Sequence, residues 1–145
     1  MDLPAYEVYA LRYATVARRR GECFIFTDEP DAAMTMDELL HIGGHTAGLQ
    51  AVRVHTARGW VVLASDAAHY WDNALLGSPF PLVHDVERML EGHRRLQSLA
   101  ESADHFIPGH DPQVLRRFAR HGDAANDIVC LHESPLLPMD ATASA

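Results

Sequence analysis

Apolar and polar residues alternate along several short stretches of the chain, and a period of two predicts β-strands. "AYEVYALRYATV" (residues 5–16) alternates in this way, and "ECFIF" (22–26) follows at hairpin distance across "ARRRG". "TDEPDAAMTMDE" carries no period and reads as a loop. "LLHIGG" (39–44) predicts a short strand entering a glycine turn. "LQAVRVHT" (49–56) and "WVVLAS" (60–65) give the clearest hairpin, joined by "ARG" as a three-residue turn. Residues 66–83 have no period, contain Gly77, Pro79 and Pro81, and read as a long loop. The period then changes. In "DVERMLEGHRRLQSLAE" (85–101), Val86, Met89, Leu90, His93, Leu96, Leu99 and Ala100 form one stripe behind a capping Asp85, which predicts an amphipathic helix. "DHFIPG" (104–109) predicts a short strand, and Asp111 with Pro112 starts a second helix over "PQVLRRFARHG". A loosely ordered tail is expected from residue 133. The pattern is that of a mixed α/β (α+β) chain.

Composition narrows the class. The 145 residues suit one domain, and 48% hydrophobic with 22% charged residues suits a globular one. A net charge of −8 excludes a general nucleic-acid surface, and "ARRRG" reads as a solvated turn. Cys23 and Cys130 lie in apolar runs and are expected as buried free thiols, with no Cys/His cluster to suggest a structural zinc. No apolar run reaches the length of a membrane span, and the opening residues alternate instead of forming a signal-like apolar block, so a cytoplasmic protein is expected. Ten histidines change the picture toward metal chemistry.

A strand, a turn and a metal-ligand residue recur in that order. His45 follows "LLHIGG", Asp66 follows "WVVLAS", and His110 follows "HFIPG". Residues just past strand ends can converge at one sheet edge although distant in sequence. Imidazole and carboxylate are the donors that zinc and similar divalent ions take. Any one such residue is ordinarily a surface or packing residue; three in series point to a site. His69, beside Asp66 in the long loop, is kept as a further candidate. His93 on the helix stripe reads as a core-rim residue, and His55, His84, His105, His121 and His132 as surface positions. Trp60 is expected to pack, and Trp71 to cover the core or line a pocket.

"GGHTAG", "VVLASDAAHYW" and "FIPGHDP", in this order, resemble the C-terminal half of the metallo-β-lactamase superfamily, in its N-acyl homoserine lactonase-like branch. The resemblance runs from Leu39 to Phe118, and residues 5–36 are similar to the family's opening strands. It implies a partial αββα sandwich, a single shortened domain over 1–132 with an N-terminal hairpin (1–36) and a C-terminal half (39–120). It implies one or two Zn2+ ions: His45 completing the ligand set of one, Asp66 bridging both and His110 binding the second. The implied reaction is hydrolysis of a small-molecule lactone or ester by water activated between the ions. Tyr70, four residues after Asp66, matches a tyrosine that holds the substrate's carbonyl or leaving oxygen, and His69 stands three after. The family's HxHxDH segment, which supplies most of the first ion's ligands, is absent upstream of "GGHT", as though a block were missing near residues 36–40. Three ligands shared by two ions predict weak binding and weak or absent activity. Lost neighbouring strands predict exposed sheet that could dock a protein partner or a second copy. Two alternatives stand beside the lactonase reading: a non-catalytic half-fold or interaction module, and a one-metal hydrolase using His45, Asp66 and His110.

Overall fold

The computed structural model describes residues 7–11, 38–122 and 127–139. The strand expected at 22–26, the loop after it, Cys23 and all but a short piece of the first predicted strand lie outside the described residues. The structure is mixed α+β. Four strands form one sheet in the order β2 (Glu38–His41), β3 (Gln50–Thr56), β4 (Gly59–Ser65) and β5 (Phe106–Pro108). A second sheet pairs β1 (Tyr9–Leu11) antiparallel with β6 (Ile128–Cys130), Tyr9 opposite Cys130.

The β3–β4 hairpin is the one the alternation predicts, with one change. Thr56 pairs with Gly59, so the turn is two residues, Ala57 and Arg58, and Gly59 belongs to the strand. Inside it, Val61, Val62 and Ala64 are fully buried, because β4 is central and covered on both faces. Burying each valine side chain contributes about 1.5–3 kcal/mol.

β4 and β5 are parallel, which demands a long crossover. Residues 66–105 supply it. Their principal element is α2 (Val86–Leu99), on the predicted stripe: Asp85 caps it by accepting from the Arg88 N–H at 3.0 Å, and Met89, His93 and Leu96 are buried. The predicted loop also holds a short helix, α1 (Trp71–Leu75). The final helix, α3 (Gln113–Arg117), is shorter than the sequence pattern predicts. It stops because Phe118 turns into the core with extended backbone. Arg117 is drawn into an ion pair with Asp104 at 2.6 Å. The same Asp104 carboxylate accepts from the Met139 N–H at 2.8 Å, and the Arg117 carbonyl accepts from the Leu136 N–H at 2.6 Å. The segment after β6 therefore has no regular secondary structure yet is tied down through Met139. Among the described residues no helix is long and apolar enough to cross a membrane.

Strand direction positions the site. β2 is antiparallel to β3, and β3 to β4, so β2, β4 and β5 all run the same way. Their C-terminal ends therefore open on one edge, and that edge receives the residues following each of them.

Candidate metal centre

Asp66 and His69 emerge from β4 and His110 from β5. The two strands keep pairing beyond their ends, since Gly109 N–H donates to the Ala68 carbonyl at 2.9 Å and His110 N–H to that of His69 at 3.0 Å. Ser65, at φ 50, turns the chain out of β4 in a conformation costly for a residue with a side chain. A Cβ on Gly109 would sit 2.7 Å from the Ser65 carbonyl oxygen, so only glycine allows the two turns to approach this closely. Asp111 locks them together: its carboxylate accepts from the Trp71 N–H at 3.2 Å and from the Gln113 N–H at 2.9 Å. His93 props the same turn from below, its buried Nε2–H donating to the Ala67 carbonyl at 2.6 Å.

The donor atoms of Asp66, His69 and His110 lie within 4.8 Å of one another. His110 Nε2 is 2.6 Å from Asp66 Oδ1, and His69 Nε2 is 3.7 Å from the same oxygen. Asp66 and His69 are buried, at 8% and 7% exposure, while His110 keeps one side open. His69 Nε2 is buried and has no hydrogen-bond partner among the described residues. A lone imidazole nitrogen without a partner costs free energy, and a cation between it and the carboxylate would remove that cost. Phe80 stacks on His69 with centroids 3.6 Å apart and planes 4° from parallel, which fixes the ring's direction.

Burial pulls the His69 imidazole from its ordinary 6.5 down to about 4; the nearby His110 and His45 add to this and Asp66 opposes it. The ring is therefore neutral at physiological pH, the form that binds metal. An unfolded chain takes up this proton near 6.5 and the native one only near 4, so its contribution to stability is full above 6.5 and is lost as pH falls toward 4. Burial lowers His93 in the same direction. Thermal melts in chelator are thus expected to show the midpoint falling across that window, with a shallower fall in His69→Gln; a midpoint indifferent to pH there would contradict this.

The sequence-derived residues fall into two groups. Asp66, His69 and His110 come together. His45 stands beside them, its ring centroid 6.0 Å from that of His69. Its Nδ1–H donates to the Leu82 carbonyl at 2.7 Å, which leaves Nε2 with its lone pair, the arrangement that orients a metal-binding histidine. Tyr70 follows His69 at the start of α1, half-buried, with its backbone N–H bonded to Asn73 Oδ1 at 2.8 Å. Trp71 is in the core, its Nε1–H donating to the Phe106 carbonyl at 2.8 Å. Asp111 is marked in the sequence as a helix start, but its bond to the Trp71 N–H, the stacking of Phe80 and the propping role of His93 have no signature there, because each depends on a partner farther along the chain.

The donors fit a divalent ion by type, by number and by the unpartnered His69 nitrogen. No protein-family model matches the chain, and no curated protein matches it. Solved structures that it resembles include one from work on how indirect contributions of mutations underlie optimization of new enzyme function, at 29% identity with a TM-score of 0.48, over 54% of this chain and 31% of that one. They also include a 1.4 Å structure of an N-acyl homoserine lactone hydrolase with the product N-hexanoyl-L-homoserine bound at its catalytic metal centre. That similarity has 26% identity and a TM-score of 0.50, over 59% of this chain. The chain spans 35% of that hydrolase's length, so the likeness concerns a part of its fold.

Proposed function

We propose that this chain is a metal-dependent hydrolase of lactones or esters, of the metallo-β-lactamase type, which holds a single divalent ion through Asp66, His69 and His110. The observation that carries the reading is the buried, unpartnered His69 Nε2 beside Asp66 and His110 at the shared strand edge. The partial likeness to a lactone hydrolase supports the reaction class and the N-acyl homoserine lactonase branch. Three protein donors with an open position are the usual arrangement of a catalytic zinc. When bound, such an ion lowers the pKa of water and polarises a carbonyl. Asp66 supplies the negative charge that holds the cation, and the neutral His69 is fixed in direction by Phe80. His45 offers Nε2 at the margin of the cluster, and by the family resemblance Tyr70 is the candidate to hold the substrate's carbonyl or leaving oxygen.

Without an HxHxDH segment the activity is expected to be low. A lactone ring-opening assay with added zinc or manganese is predicted to exceed buffer, to fall to buffer with chelator, and to be lost in His110→Ala. A rate equal to buffer in the metal-loaded protein would overturn the hydrolase reading while leaving the metal centre to be judged on its own.

A further inference from the structure

A second group of donors lies on the other sheet, where the sequence pattern predicts only a buried thiol and a surface histidine. Cys130 ends β6, and His132 and Glu133 follow it; their donor atoms lie within 4.8 Å of one another. From this geometry we propose that Cys130, His132 and Glu133 form a separate binding site for a thiophilic divalent cation such as zinc.

The backbone between the donors is already fixed. Leu131 N–H donates to the Val8 carbonyl at 2.7 Å, and the Leu131 carbonyl accepts from Arg58 Nε at 2.7 Å. In one tautomer of His132 the Val8 N–H donates to Nδ1 at 3.1 Å, and in the other Nδ1–H donates to the Val8 carbonyl, also 3.1 Å away. When Nδ1–H donates to that carbonyl, Nε2 presents its lone pair, and Nε2 lies 4.0 Å from Glu133 Oε1. A backbone carbonyl behind a histidine in this way is the usual support of a metal ligand. Thiolate, imidazole and carboxylate are a donor set that suits zinc and leaves a fourth position for water. Cys130 is buried while the Glu133 side chain is 55% exposed, so the site has a closed sulfur end and an open carboxylate end. Burial, then Glu133 and Glu7, push the Cys130 thiol above its ordinary value, and those two carboxylates favour a cation for the same reason that they disfavour a bare thiolate. Binding breaks the S–H bond, releases its proton to solvent and forms the sulfur–metal bond.

Cobalt(II) titration of the reduced protein tests this, because only a thiolate ligand gives a near-ultraviolet sulfur-to-cobalt charge-transfer band. The band is expected in the unmodified chain, in Cys23→Ser and in Asp66→Ala, and is expected to vanish in Cys130→Ser. Glu133→Gln, at an exposed side chain that the fold does not need, is expected to weaken cobalt binding several-fold. No band at excess cobalt, a band that survives Cys130→Ser, or affinity indifferent to both Glu133→Gln and His132→Ala would overturn the proposal.

Discussion

Replacing Asp66 with alanine is expected to lower zinc affinity at the strand-edge centre by at least about a hundredfold, since even outer partners of metal ligands are worth roughly 10–100-fold. Asp66 is the only carboxylate of its cluster, and the two histidines beside it are neutral donors when they bind a cation. Its removal leaves a cation buried against two imidazoles with no compensating charge. Asp66→Asn separates charge from shape. It keeps the volume and a hydrogen-bond acceptor for His110, so the fold is expected to persist while affinity falls nearly as far. Zinc titration against a competing chelator, in a Cys130→Ser background so that the β6 thiol adds nothing, reads the difference. Affinity unchanged in both variants would remove Asp66 from the site.

The second large effect is on stability, at Gly44→Ala. Gly44 sits at φ +90, where a side chain is strained, and a Cβ there would lie 2.7–2.8 Å from the N, Cα and Cβ atoms of Met89 in α2. Left-handed strain costs about 1–3 kcal/mol, and forcing extra volume into a packed site costs about as much again. None of these contacts can relax by turning a side chain, because most of what is met is helix backbone. The Gly44 carbonyl also accepts from the N–H groups of His84 and Asp85 at 2.9 Å, so a shift would loosen the start of α2 together with His45. Against a typical total of about 5–15 kcal/mol, chemical denaturation is predicted to show a loss of roughly 2–6 kcal/mol. An unchanged midpoint would mean that the turn and α2 are not packed as described.

The strand–turn–ligand rhythm of this site is legible in the sequence because it rests on local pattern. Alternation marks β3 and β4, the apolar stripe marks α2, and a ligand-type residue follows each of β2, β4 and β5. What pattern cannot carry is direction: that these strands run the same way, and so open on one edge, follows only from their pairing. Short elements also escape. α1 spans Trp71–Leu75, too few residues for a helical period to develop, and α3 ends early because Phe118 and Arg117 find partners elsewhere in the chain. In the sequence His69 stands out only as a neighbour of Asp66; its place among the donors depends on the paired turns that set it against His110. Cys130, His132 and Glu133 meet because the chain turns at residues 131–132 just past β6, and strand alternation carries no sign of that turn.

In the proposed centre Asp66, His69 and His110 hold a divalent ion together. Crystals of the zinc-loaded protein, measured at the zinc absorption edge, test it most directly. The predicted result is an anomalous peak about 2.0–2.2 Å from an Asp66 carboxylate oxygen and from one ring nitrogen each of His69 and His110. A map with no peak at that cluster, from protein shown to carry zinc elsewhere or not at all, would contradict it.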